Sequence, residues 1–181
     1  MNCGEAPRAP AVGDVVVLET LEATTLAAWV RESPSIFSYT MILTIHAIGL
    51  AIVVGVNTLI ALRLLGFAKS FPLPVLPRLY GVVWFGFWIN AISGCLLFIA
   101  EATKMAAMPA FIGKLCFVFT GMILVQVTRK RYFSDTRNVN AGVVTPVARK
   151  LAWASLFCWY MALIVGRLTG YPDLVTSWFG I

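Results

Sequence analysis

The sequence contains few charged residues and almost no histidine. Aspartate, glutamate, lysine and arginine make up 12% of its 181 residues, hydrophobic residues make up 60%, and His46 is the single histidine. An ordinary soluble domain has roughly 25% charged residues. A chain this apolar cannot cover its surface with polar side chains. This composition excludes a soluble globular protein and makes lipid part of the solvent.

Motifs for covalent or metal chemistry are equally scarce. The four cysteines, Cys3, Cys95, Cys116 and Cys158, form no C-x-x-C pair, and three lie in apolar segments, where cysteine behaves as a small hydrophobe. We therefore expect no disulfide framework. The sequence shows no nucleophile–base pair and no phosphate loop, which leaves hydrolases and kinases least favoured. The first 33 residues contain no long apolar stretch, so we expect no cleavable signal peptide.

Four long apolar segments are present instead. Their approximate limits are 33–62, 80–100, 105–128 and 147–169. Each reaches the ~20 residues that cross a bilayer, and a proline stands where each helix should begin, since the first turn tolerates its missing N–H. These prolines are Pro34, Pro77, Pro109 and Pro146. The sequence predicts an all-α membrane protein, with a four-transmembrane-helix bundle over 34–170 and tails over 1–33 and 171–181.

The basic residues are unevenly divided between the two ends of these segments. Nine of the 14 fall at one end: Arg63, Lys69, Arg78, Arg129, Lys130, Arg131, Arg137, Arg149 and Lys150. The positive-inside rule places that end in the cytoplasm and both termini on the periplasmic side. We expect a multi-pass protein of the bacterial inner membrane. This orientation accounts for the net charge of +6, and without a recognisable binding module we expect no nucleic-acid partner.

The segment before the first span has an amphipathic pattern. Four apolar residues, Leu18, Leu21, Leu26 and Trp29, alternate with polar residues over 15–31. This pattern predicts a short interfacial helix that lies on the outer leaflet, with the tryptophan at the headgroups. A loosely ordered tail is the alternative.

Polar residues inside the spans concentrate near the periplasmic side. Helical phase and a rise of 1.5 Å per residue put five of them at related depths. They are His46, Asn90, Lys114, Tyr160 and Arg167. Because polar groups in a bilayer usually face the bundle interior, we predict that these five line one outward-opening pocket and are the candidate cofactor-binding residues. The inner half shows little besides Asn57.

Several interpretations of this pocket remain open. His46 could donate a hydrogen bond to a neighbouring carbonyl, ligate haem b or another metal, or relay protons. Lys114 and Arg167 would suit haem propionates, or would extend to the outer headgroups. Glu101 would pair with Lys104 or Lys114. Membrane b-type haems usually take two histidines, so a second ligand would come from a methionine, water or another chain.

Small and aromatic residues form two further patterns. Ala47, Ala51 and Gly55 repeat at intervals of four, which lets helices approach closely. This stripe fits packing within the bundle or contact with a neighbouring subunit equally well. The aromatic cluster of the second span surrounds its helix and indicates lipid contact or a partner groove. It comprises Trp84, Phe85, Phe87 and Trp88.

Four short motifs resemble a known group of proteins. They are His46-Ala-Ile-Gly-Leu-Ala, Leu62-Arg63-Leu64-Leu65-Gly66, Gly113-Lys114-Leu115 and Gly166-Arg167. Together they look like an uncharacterised family of small bacterial inner-membrane proteins with four spans. The resemblance covers about 30–170. The resemblance implies the fold and the location, and it implies that His46, Lys114 and Arg167 belong to a pattern shared by the family. It supplies no activity.

Three functions are compatible with these observations. The first is a non-catalytic membrane subunit that anchors or completes a larger inner-membrane complex, expected to be redox or photosynthetic, or a homo-oligomer. The second is a small b-type cytochrome that passes electrons between a periplasmic partner and quinone, with His46 as ligand. The third is a small transporter or channel, which one-sided polarity disfavours because a conduction path needs polar groups at both ends.

Overall fold

The computed structural model describes residues 12–170. Residues 1–11 of the predicted N-terminal tail (1–33) and the whole predicted C-terminal tail (171–181) lie outside the described residues. Of the described residues 83% are helical, and no strand occurs among them. The helices are α1 (Val12–Glu22), α2 (Thr25–Glu32), α3 (Tyr39–Leu65), α4 (Leu76–Ala100), α5 (Ala102–Ala106), α6 (Pro109–Thr128), α7 (Thr136–Asn140) and α8 (Pro146–Leu168). A 3₁₀ turn over Leu73–Val75 precedes α4, and a π-helical turn over Arg129–Phe133 continues α6.

Four of these helices, α3, α4, α6 and α8, are long and apolar enough to cross a membrane. The predicted all-α four-helix bundle is therefore confirmed, and the chain is a multi-pass membrane protein. Proline stands in the first turn of α4, α6 and α8, as predicted. The prediction for Pro34 is wrong, because the first span begins at Tyr39 and Pro34 lies in the connection that precedes it.

Two helices, rather than one, occupy the segment before the first span. The break falls at Ala23–Thr24, because the Thr24 hydroxyl caps a new helix by accepting a hydrogen bond from the backbone N–H of Ala27. Ala27 and Val30 are buried, whereas Trp29 is half exposed. The α2 helix therefore uses its apolar face to pack on the end of α4.

Polar contacts fix this N-terminal layer to the bundle. The Arg31 guanidinium donates to the carbonyl of Ala100, one of the unpaired carbonyls at the C-terminus of α4 (3.2 Å). The Glu22 carboxylate accepts hydrogen bonds from the hydroxyl and the backbone N–H of Thr103, both at 2.8 Å. These bonds, the hydroxyl's first, lower the pKa of the Glu22 carboxyl below its usual value.

The spans pack in the spatial order α4–α3–α8–α6, with α3 and α8 at the centre. Glycine allows two of the three interfaces to close. A Cβ at Gly49 of α3 would lie 2.7 Å from the backbone nitrogen of Asn90 in α4. A Cβ at Gly121 of α6 would lie 2.9 Å from the ring of Trp159 in α8. We call the bundle end that carries α5 the α5 end, and the opposite one the α7 end.

Candidate functional site

His46, Asn90 and Ser93 form a polar cluster between α3 and α4, in the half of the bundle nearest the α5 end. The His46 Nδ1 lies 3.0 Å from the carbonyl oxygen of Asn90 and 3.1 Å from the hydroxyl of Ser93. In the opposite direction, the Asn90 amide donates to the carbonyl of His46 at 2.9 Å. The two helices are thus joined by a reciprocal pair of side-chain-to-backbone hydrogen bonds.

These contacts determine the tautomer of His46. A backbone carbonyl only accepts, and the Ser93 hydroxyl gives its own proton to the carbonyl of Ile89 at 2.6 Å. The His46 Nδ1 therefore carries a proton and donates it, and the lone pair of the neutral ring is on Nε2. The Asn90 Nδ2 is 3.4 Å from both ring nitrogens, which places it over the ring face rather than in line with the lone pair.

Small residues position the His46 ring. A Cβ at Gly94 of α4 would lie only 3.0 Å from the ring Cε1, so the imidazole occupies the space that a side chain at this position would fill. One turn further along α3, Gly49 faces the same interface. The ring is thus held tightly between two helix backbones.

Lys114 approaches this cluster from the other side of the bundle. Its aliphatic stem packs on Gly166 of α8, where a Cβ would lie 3.2 Å from the lysine Cδ. The Lys114 side chain is within electrostatic range of the His46 ring. The nearby carboxylate of Glu101 pairs with Lys104 at 3.3 Å, which decides between the two partners that the sequence left open.

Tyr160 and Arg167 do not join the cluster. Tyr160 is 47% exposed, and Arg167 is exposed near the end of α8. The buried residues of α8 in this region, Trp159 and Ala162, are those that face the neighbouring helices. The structure therefore brings His46 and Asn90 together and places Lys114 nearby, while the other two predicted residues lie on the outer surface of the bundle.

A second polar cluster lies in the half nearest the α7 end, where the sequence indicated only Asn57. The Asn57 side chain accepts a hydrogen bond from the hydroxyl of Ser155 at 2.9 Å, and both residues are buried. Thr128 and Tyr80 line a small cavity beside them. Sequence analysis missed these residues because serine, threonine and tyrosine are common in spans. Only the packing of α3 against α8 shows which of them meet.

Metal chemistry would need further ligands around His46. Among residues 12–170, no three histidine, cysteine, aspartate or glutamate residues are close enough to hold a metal ion. Cys95 and Cys116, the thiols on the neighbouring spans, are both exposed on the bundle surface.

Comparison with known proteins adds no relative. No protein family, no curated protein and no solved structure matches this chain. The resemblance based on the four motifs therefore stays a prediction.

Proposed function

We propose that this protein is a non-catalytic integral membrane subunit that packs against another transmembrane protein and completes a larger membrane complex. The observation that carries the proposal is the position of the small-residue stripe on α3. Ala47, Ala51 and Gly55 are all exposed, and no atom of the described residues lies within 4 Å of a Cβ placed on Gly55. The packing among residues 12–170 leaves the stripe uncovered, which supports contact with a neighbouring helix.

Two glycines in the interface between α3 and α4 differ from Gly55, because the facing helix covers them. Gly49, two residues after Ala47, and Gly86 of α4 both allow a close helix contact, since an added Cβ at either would lie within 3 Å of the facing helix. The small residues on α3 therefore have two different environments. Gly49 packs against α4, whereas Ala47, Ala51 and Gly55 lie on the exposed face of the helix. Small residues on a lipid-facing surface are where transmembrane helices associate, because backbones can approach closely there.

The aromatic surface of α4 supports the same conclusion. Phe85, Trp88 and Ile92 are 63%, 57% and 62% exposed, and the Phe87 ring makes edge-to-face contacts with the rings of Trp84 and Trp88. Aromatic side chains are enriched in the energetically important parts of protein interfaces. We propose that the bundle has two contact faces, the α3 stripe and the α4 aromatic surface.

The proposed location is the bacterial inner membrane, with the α5 end on the periplasmic side. The support is the distribution of basic residues, nine of which lie at or near the α7 end. In this orientation, α1 and α2 cover the periplasmic ends of the spans. A redox or photosynthetic complex is the assembly that we propose on the basis of the sequence.

The experiment compares two leucine substitutions, Gly55→Leu in the stripe and Ala154→Leu on α8, where an exposed small residue has no stripe around it. Each is extracted in mild detergent, and its native mass and melting temperature are measured. A photoreactive side chain at position 51 identifies whatever it contacts, a second copy or another protein.

We expect the wild type and the Ala154→Leu protein to keep a protein mass, corrected for bound detergent, above that of a 19.8 kDa monomer. Gly55→Leu should have the protein mass of a monomer. Its melting temperature should be normal, because the described residues leave space for a side chain at this position. A monomeric wild type with no cross-link at position 51 would refute the proposal.

A specific feature of His46 favours a second candidate function, a small b-type cytochrome. Ligating histidines usually donate the non-ligating N–H to a backbone carbonyl, which fixes the tautomer and raises ligand basicity. His46 makes this bond through Nδ1 to Asn90, with the lone pair on Nε2. Lys114 would be the cation available to a propionate.

Absorption spectra test this second candidate. Purified wild type should show a Soret band with reducible α and β bands, and His46→Ala should lose them. Lys114→Gln should retain the bands with weakened haem affinity. Absence of any haem band from wild type supplemented with haem would eliminate the cytochrome.

A further inference from the structure

A small cavity lies where all four spans meet, in the half of the bundle nearest the α7 end. Its volume is about 10 Å³. Each span contributes to its wall, and every lining residue is buried. The lining residues with polar side chains are Asn57 of α3, Tyr80 of α4, Thr128 of α6 and Ser155 of α8.

One polar atom on the wall lacks a partner. Asn57 is 4% exposed, and its Oδ1 accepts the proton of Ser155, but its Nδ2 has no hydrogen-bond partner among residues 12–170. Reversing the amide only exchanges the two atoms, so one of them is unpaired in either assignment. A buried amide group without a hydrogen-bond partner destabilises the folded state. This cost calls for a ligand in the cavity.

The lone pairs around the cavity define that ligand. Thr128 gives its proton to the carbonyl of Leu124 at 2.8 Å, and Ser155 gives its proton to Asn57, so both hydroxyl oxygens retain lone pairs that can accept. The Asn57 Nδ2 supplies a donor. A molecule that accepts one hydrogen bond and donates two satisfies all three groups.

We propose that this cavity binds one structural water molecule, which joins the four spans. A void of roughly 10–15 Å³ admits a single water, and buried waters typically make about three hydrogen bonds to otherwise unpaired groups. In the assignment shown, the unpaired N–H of Asn57 would point its positive end at a cation of similar size, which disfavours a cation in this cavity. This site is independent of the proposed subunit function.

The direct test observes the water at the Asn57 side chain. The protein is labelled with ¹⁵N-asparagine and purified as the full chain in detergent. The Asn57 side-chain signal is assigned by its loss in Asn57→Leu. A rotating-frame cross-relaxation experiment then detects contact between water and the amide, with a sign opposite to that of chemical exchange.

Two methyl-adding substitutions on α8 provide the comparison. Ala152→Val fills the cavity, since Ala152 lines it, and Ala154→Val adds the same methyl groups to the exposed surface of the helix. We expect a water contact at Asn57 in wild type and in Ala154→Val, and at least a fivefold loss of its intensity in Ala152→Val. Ala61→Val, at another lining residue, fills the cavity from α3 if Ala152→Val fails to fold.

Two results would overturn the proposal. One is a wild-type Asn57 amide with no cross-relaxation to water, which would mean a dry cavity. The other is a contact that survives both filling substitutions unchanged, which would place the water elsewhere. Neither result depends on whether the protein has a partner subunit.

Discussion

Replacing Gly49 by alanine should separate α3 from α4 and disturb the His46 cluster. An alanine Cβ at this position would lie 2.7 Å from the backbone nitrogen of Asn90 and 3.0 Å from the carbonyl oxygen of Gly86. Both are backbone atoms, so a side-chain rotation cannot relieve the contact and the helices have to move apart.

The expected loss of stability follows from three terms. Overpacking of a closed interface costs about 1–3 kcal/mol. Separation also weakens the two hydrogen bonds between His46 and Asn90, each worth roughly 0.6 kcal/mol in a bilayer. Alanine recovers up to about 1 kcal/mol because it favours the helix over glycine. We expect a net destabilisation of about 1–3 kcal/mol.

Gly81→Ala, on the facing helix α4, is the control. It has the same propensity gain, and among the described residues nothing lies within 4 Å of its new Cβ. Unfolding in mixed detergent micelles, followed by circular dichroism, gives the free energy of unfolding of both variants. Our account of the α3–α4 interface is refuted if Gly49→Ala is as stable as Gly81→Ala.

Three further predictions concern pH, His46 and topology. The lowered pKa of Glu22 contributes stability above its unfolded value of about 4.5. The contribution is lost as the pH falls through the folded value, so the protection factor of the Thr103 amide, which corrects for the intrinsic pH dependence of exchange, should fall at acidic pH in wild type and be low at every pH in Glu22→Ala. If His46 serves packing, His46→Ala should lower the free energy of unfolding by only ~0.6–2 kcal/mol. A decrease greater than about 3 kcal/mol, accompanied by loss of a chromophore, would instead show that His46 is a cofactor ligand. In a background without native cysteines, an impermeant maleimide applied from the periplasm should label Ala106→Cys and spare Arg137→Cys, and the reverse pattern would invert the proposed orientation.

The sequence predicts the spans well because each signal is local. An apolar run of about 20 residues and a proline in the first turn are sufficient for α6 and α8, which begin at Pro109 and Pro146. Pro34 fails as a start signal because the residues after it form turns before α3 begins. The α1–α2 break depends on the Thr24 cap and on docking against α4, and an amphipathic pattern alone shows neither.

The candidate site is predicted only in part, for a geometric reason. Helical phase gives the residues that share a face of one helix, but it does not show which neighbour that face meets. His46 and Asn90 meet because α3 and α4 are a close-packed pair. Tyr160 has a compatible depth, yet its face of α8 is directed outward. The Asn57–Ser155 contact needs the α3–α8 pairing, which no local pattern contains.

The two polar clusters have different structural roles, because they lie at different kinds of interface. The cluster of His46, Asn90 and Ser93 joins α3 to α4, which are consecutive spans, and Gly121 with Trp159 closes the corresponding contact between α6 and α8. Each pair is a helical hairpin of consecutive spans. The cluster of Asn57 and Ser155 lies between the two hairpins, where Ser155 of the α6–α8 hairpin donates a hydrogen bond to Asn57 of the α3–α4 hairpin. The Asn57 side chain has one of its two polar atoms hydrogen-bonded, by Ser155. Any other pairing of the hairpins would leave both atoms without a partner in the lipid environment, so other pairings are disfavoured. Asn57 therefore specifies which faces of the two hairpins come together, and the proposed water completes that specification.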